Sequence, residues 1–168
     1  YIRSNCGGFD LLFHKNEDGA VVNSPSMLKD VKWASTTCCL CWEAQGMWPE
    51  VTDETMYNAC DSNGSLLAAV DSRGNLCLYN FPAISKGALS LHKRAHVAQV
   101  TNVRFNADGS YLFTAGGPDR TLCQWRVSRR AAPAPRPEAA ATNPAAGTAD
   151  AAVPIESQVE SKLSISDN

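Results

Sequence analysis

Two stretches of the chain, NACDSNGSLLAAVDSRGNLCLY (58–79) and TNVRFNADGSYLFTAGGPDRTLCQW (101–125), carry one pattern. Gly64 falls on Gly109, Ser65 on Ser110 and Leu67 on Leu112 at a shift of 45. After one inserted residue, Leu76, Cys77 and Tyr79 fall on Leu122, Cys123 and Trp125 at a shift of 46. Each unit reads as a short apolar strand, a polar turn with Asn or Asp before Gly, a second strand, a Gly/Asp turn and a third strand. GGFDLLFH (7–14) begins a partial third copy. Strands rich in Val, Leu, Phe and Tyr, joined by tight turns and repeated at this period, fit the antiparallel meander of a four-stranded propeller blade, which needs no crossover helix. The same spacing disposes of a phosphate loop at Gly116-Gly117. Pro118 follows, then another strand, where a phosphate site requires a helix N-terminus and a Lys-Ser/Thr pair.

The last unit, AHVAQVTNVRFNADGSYLFTAGGPDRTLCQWRV (95–127), resembles a WD repeat. His96 takes the place of the histidine in its Gly-His pair, Thr114 lies in the second strand, Asp119 in the turn and Trp125 in the third strand. The intervals of 23 residues from His96 to Asp119 and 6 from Asp119 to Trp125 fit that pattern. The resemblance implies that the four side chains form one hydrogen-bonded network. Asp119 is costly to bury unless His96 and nearby backbone amides satisfy it, and a satisfied network fixes a single register. Ala95 replaces the usual glycine, and Gln124-Trp125-Arg126 lacks the Trp-Asp dipeptide.

Between the partial copy and the first full unit, DVKWASTTCCLCWEAQGMWP (30–49) breaks the rhythm. Asp30, Val31 and Trp33, then Thr37, Cys38 and Leu40, then Gln45, Gly46, Trp48 and Pro49 resemble the atypical segment of the EMAP-like family, the echinoderm microtubule-associated protein-like proteins. Cys41 stands where relatives usually carry glycine. The resemblance covers about residues 1 to 127. It implies a non-enzymatic, microtubule-associated protein with tandem propellers whose exposed face binds tubulin. In a chain that begins at Tyr1 inside an apolar stretch, it leads us to expect the C-terminal part of the second propeller. The expected fold is all-β, a partial β-propeller of two to three WD-type blades with a disordered C-terminal tail. Its parts are a partial blade at 1–29, an atypical Trp/Cys-rich segment at 30–56, a WD-like blade at 57–94, a terminal repeat at 95–130 and an Ala/Pro-rich tail at 131–168.

The tail cannot bury enough apolar surface to fold on composition alone. Ile155, Val159 and Leu163 are spaced for one short helical face. Pro133, Pro135 and Pro137 deny the ladder its donors just after the last strand, so the fourth strand of the terminal blade is expected from outside this chain. The tail holds two basic against five acidic side chains, −3, which leaves residues 1–130 at +1 of the chain's −2. So neutral a body gives no reason to seek nucleic acid or an anionic membrane, and any basic partner site is a local patch. Candidate partner residues are Lys93, Arg94 and Arg104, with Lys86, His92, Arg126, Arg129 and Arg130 nearby, and the tryptophans Trp42 and Trp48; Trp33 and its fellows equally suit packing between blades. The partners expected are tubulin and other cytoskeletal proteins, in the cytoplasm.

Seven cysteines, an odd number, sit mostly in apolar runs and read as reduced, buried small hydrophobes. Neighbouring cysteines on a strand would face opposite ways and His96 is already claimed by the blade, so neither metal nor cofactor is expected. A catalytic Cys/His pair would need to converge in space inside a pocket. The rival function is a propeller adaptor that binds peptide segments of a cytoskeletal or ciliary complex without touching tubulin.

Overall fold

The computed structural model describes residues 1–48 and 56–128, and the backbone of 159–162. An N-terminal hairpin pairs β1 (Ile2–Asn5) with β2 (Leu11–His14). Two 3-10 helices follow, Pro25–Leu28 and Trp42–Met47. The first blade is a four-stranded meander, β3 (Tyr57–Ser62), β4 (Leu66–Asp71), β5 (Asn75–Asn80) and β6 (Ser90–Arg94), each strand antiparallel to the next. The second runs β7 (Val100–Phe105), β8 (Tyr111–Gly116), β9 (Leu122–Val127) and then β10 (Val159–Lys162). The fold is thus mostly antiparallel sheet in propeller blades.

Period-two alternation sorts the side chains into two cores. Ala68 and Val70 of β4, with Leu76 and Leu78 of β5, pack against Val100, Val103, Leu112, Cys123 and Trp125 of the second blade. Leu67 and Ala69 point the other way, with Cys60, Cys77 and Tyr79, onto Cys38, Cys39, Cys41, Ala44 and Met47. β4 is therefore covered on both faces and buried along its whole length. Fully burying a side chain the size of Leu67 or Leu112 contributes about 1.5–3 kcal/mol. The inner strands β3 and β7 are stitched together by Asn58 Nδ2 donating to Val100 O (2.8 Å) and Phe105 N donating to Asp61 Oδ2 (2.8 Å).

Residues 30–48, ahead of the first blade, form no strand. Cys38, Cys39 and Cys41 lie on irregular backbone leading into the second 3-10 helix, so all three turn inward together. That helix docks on the β5–β6 connection: Ala83 N donates to Glu43 O (2.8 Å), Gly46 N to Ala83 O (2.7 Å) and Ala88 N to Gly46 O (3.2 Å). A Cβ on Gly46 would run into the carbonyls of Ser85 and Ala83, so this close approach requires glycine. Arg3 ties the hairpin to the same helix. Its Nη1 reaches both carboxylate oxygens of Glu43 (3.2 and 2.9 Å), its Nη2 donates to Ser35 O (3.1 Å), and its guanidinium carbon lies 4.4 Å from the Trp33 ring centroid.

The expectation that the fourth strand of the terminal blade comes from outside the chain is corrected by the structure. Val159–Lys162 pairs antiparallel with β9, setting Val159 opposite Val127 and Lys162 opposite Gln124. The helical reading of Val159 gives way with it, because residues four apart satisfy a period of two as well as one of 3.6. Ile155, Leu163, Arg129, Arg130 and Pro49 lie outside the described residues, as does the rest of the tail expected to be disordered.

Candidate functional site

The β8–β9 turn is built by GGPDRT. Pro118 sets the first corner, Arg120 N closes the turn on Gly117 O (3.2 Å), and Gly116 N pairs with Thr121 O (2.9 Å). Arg120 takes a positive φ of 54°. This turn aims Asp119 back at the loop entering β7. Its Oδ2 lies 2.9 Å from His96 Nδ1 and accepts from Val97 N (3.3 Å), while Oδ1 accepts from Thr121 N (3.2 Å). On its other side His96 Nε2 lies 2.8 Å from Thr114 Oγ1, which accepts from Trp125 Nε1 at 2.9 Å. The structure thus brings His96, Thr114, Asp119 and Trp125 into one chain of hydrogen bonds. With the ring proton on Nδ1, every contact has one donor and one acceptor: the indole donates to Thr114, Thr114 to Nε2, and Nδ1 to Asp119.

Thr121 was not singled out from the sequence, yet its Oγ1 stands 2.8 Å from His96 Nδ1. Nothing but its place two residues after Asp119 would have pointed to it. Asp119 is less deeply placed than expected, its side chain 12% exposed while that of His96 is fully covered. Burial pushes the Asp119 carboxyl up, but the Thr121 amide, the His96 ring and the Thr121 hydroxyl together hold it below the usual carboxylate range. The first blade has its own satisfied acid. Buried Asp71 accepts from the amides of Arg73 (2.9 Å) and Asn75 (2.8 Å) and from Asn75 Nδ2 (2.8 Å), a signal legible in DSRGN as an Asp closing a turn at Gly74.

A Cys/His pair does converge. Cys77 Sγ lies 3.2 Å from His92 Nδ1, and Ser90 Oγ lies 2.6 Å from His92 Nε2. Ser90 and His92 line a cleft of about 280 Å3 together with Tyr57, Asp71 and Tyr79. Cys77, however, is 1% exposed, and burial, aided by the charge of Asp71, pushes its thiol up to about 12 against hydrogen bonds from Tyr57 and Tyr79. A buried thiol held there donates a hydrogen bond and is no nucleophile at neutral pH. Among the described residues no three His, Cys, Asp or Glu side chains gather as metal ligands, and no helix is long and apolar enough to cross a membrane.

The residues put forward for partner contact lie on different layers. Lys93 and Arg94 are exposed on β6, the outer strand of the first blade. Arg94 also braces the loop into β7, its Nε and Nη2 donating to His96 O (2.9 Å) and Val97 O (2.8 Å). Arg104, on β7, stands 3.6 Å from Asp61. Trp42 is 50% exposed, with Lys29 Nζ 5.7 Å from its ring centroid, and lines an apolar cleft of about 420 Å3 with Phe13, Leu28, Trp33 and Leu40. Trp48 turns inward instead. Its Nε1 donates to Cys39 O (2.8 Å) and its ring meets Tyr57 and Phe9 edge-on, because the first core needs a large ring where the second 3-10 helix ends.

Stacked meanders, a hydrogen-bonded His-Thr-Asp-Trp network and a 3-10 segment wedged against the first blade define a WD-type β-propeller protein. Residues 1–127 match the family described as echinoderm microtubule-associated protein second beta-propeller. The chain belongs to the EMAP-like family. It is 35% identical over 127 residues to echinoderm microtubule-associated protein-like 2 of Rattus norvegicus, covering 74% of this chain and 20% of that protein. It is 33% identical over 130 residues to echinoderm microtubule-associated protein-like 4 of Homo sapiens, covering 76% of this chain and 13% of that protein. The chain thus spans a fifth or less of the length of these relatives.

Proposed function

We propose that this chain supplies blades to a non-enzymatic propeller that binds tubulin. The observation that carries the reading is the match of residues 1–127 to a second-propeller family whose relatives are named as microtubule-associated. The geometry supports it by exclusion of work elsewhere: His96, Thr114, Asp119, Trp125 and Asp71 are engaged in holding the blades, and the Cys77 thiol is covered. Exposed Lys93 and Arg94, on a body of near-neutral charge, are suited to a local contact with an acidic surface, and Trp42 with Lys29 offers a second, aromatic contact. The adaptor reading is favoured by one feature, the apolar lining of the Trp33–Trp42 cleft.

Co-sedimentation with microtubules at low and raised salt tests this. Binding through surface cations puts the chain in the pellet at low salt, weakens as screening rises, and weakens again in Lys93→Glu and Lys29→Glu. Absence from the pellet at low salt overturns tubulin binding by these residues and leaves the peptide-binding adaptor.

A further inference from the structure

The fourth strand of the second blade arrives in an unusual way. In the first blade, β6 follows β5 after nine residues, 81–89. In the second, 31 residues separate Val127 from Val159. A hairpin between neighbouring antiparallel strands needs only about two to five. The reason is written in the prolines. Pro133, Pro135, Pro137, Pro144 and Pro154 punctuate the chain after β9, and each lacks the N–H a ladder requires. The longest proline-free stretch of the tail begins at Ile155 and runs to the end of the sequence. Within it V-E-S-K-L (159–163) alternates in a strand's period.

The register says which groups this strand covers. Val127 N donates to Ser110 O (2.9 Å) and Gly116 N to Thr121 O (2.9 Å), so the odd-numbered residues of β9 spend their backbone groups on β8. By the alternation of an antiparallel ladder, the amides of Leu122, Gln124 and Arg126 point to the outer edge. β10 stands opposite Gln124 through Val127, pairing Lys162 with Gln124 and Glu160 with Arg126. Leu122 points outward too but lies beyond the end of β10.

We infer that the outer edge of β9 is a binding site for extended backbone and that Val159–Lys162 is its tethered ligand, a strand that caps the terminal blade in cis. Over the described register it holds the edge through the backbone groups of Gln124 and Arg126, and it is removable because no short turn anchors it. An uncapped edge of this kind is a template for pairing with other chains, so the cap is also what keeps the blade from edge-to-edge association. Nothing in this depends on tubulin binding.

Residue-resolved amide exchange on the full chain tests it. Gln124 and Arg126, each relative to its intrinsic rate, exchange at least about tenfold more slowly than Leu122, whereas equal rates for the three overturn the inference. In Glu160→Pro/Lys162→Pro the protection of Gln124 and Arg126 falls at least about tenfold, that of Trp125 and Val127, bonded to β8, by less than about twofold, and sedimentation velocity shows self-association. Asp150→Pro, in the connection, leaves all of them unchanged. A synthetic peptide of residues 155–166 at millimolar concentration restores Gln124 and Arg126 in the double-proline variant, and a peptide carrying the same two prolines does not. Protection in the unaltered chain that falls on dilution assigns the strand to a second copy and overturns the cis cap. Should the double-proline variant fail to fold, the Leu122 comparison and the dilution series in the unaltered chain still decide.

Discussion

Replacing Thr114 by valine removes one hydroxyl and little else. Valine keeps the shape and the β-branch, so the strand and its packing are preserved. Thr114 is completely buried, and its Oγ1 has two partners, Trp125 Nε1 at 2.9 Å and His96 Nε2 at 2.8 Å, both on residues that are themselves buried. Each would be left without that bond on a residue only 4% exposed. An orphaned buried donor or acceptor costs about 1–3 kcal/mol, so two cost about 2–5 kcal/mol after relaxation. Set against a total stability of about 5–15 kcal/mol, that is a large fraction. With a slope of about 2 kcal/mol per molar urea, a loss of about 3 kcal/mol moves the unfolding midpoint down by about 1.5 M, read by tryptophan fluorescence. Thr114→Ser keeps the hydroxyl and loses only a methyl, so it recovers most of the loss. Thr101→Val, at an exposed position of the same blade, removes only a solvent-facing hydrogen bond to Ala115 O (2.9 Å), whose loss water can make good, and stays within about 1 kcal/mol. A Thr114→Val midpoint indistinguishable from that of Thr101→Val would refute the reasoning, because it would mean that the His96–Trp125 relay is not what holds the blade.

Acid should loosen the hairpin first. Burial pushes the Glu43 carboxyl up, yet its own amide, the Cys41 thiol and Arg3 hold it below its ordinary value of 4.5. The folded value being lowered, the Arg3–Glu43 contribution is present above that ordinary value and lost as pH falls through the lowered one, so Trp33 emission should change on acidification below that ordinary value in the natural chain and not in Glu43→Gln. An identical acid transition in both would place its origin elsewhere. Alkylation with iodoacetamide under native conditions should modify one cysteine quickly, exposed Cys6, while the other six, all buried, react at the rate of unfolding; mass spectrometry that finds Cys77 or Cys60 labelled as fast as Cys6 would contradict the packing described.

The blades were legible because turn chemistry and strand period agree: Gly64, Gly74 and Gly109 take positive φ where the repeat places its turns, and each is flanked by a strand on either side. The spacing of His96, Asp119 and Trp125 was legible for the same reason, since a ladder converts sequence intervals into positions. Other features had no such rule. The segment around Cys38–Cys41 has no period, because its backbone follows the β5–β6 connection and not a ladder of its own. Inward placement of Trp48 depends on a carbonyl nine residues earlier. The tail strand was missed because a spacing of four is shared by helix and strand, and because the prolines next to β9 hid a partner beyond 31 intervening residues. The Cys77–His92 contact joins neighbouring strands, and only the register reveals that Cys77 stands opposite His92.

The docking of the second 3-10 helix on the β5–β6 connection bears on how such a chain can be recombined. Three backbone bonds and the close approach at Gly46 make residues 36–48 and 81–88 a single mechanical piece, although more than thirty positions divide them in sequence. The natural unit of inheritance here is therefore not the repeat. A chimaera joined at the start of the first blade would marry one parent's wedge to another's connection and demand that a glycine, two alanines and the carbonyls between them coincide. Exchange between relatives is tolerated only when the wedge and the blade travel together, so the irregular stretch that interrupts the repeat is the part least free to drift away from it.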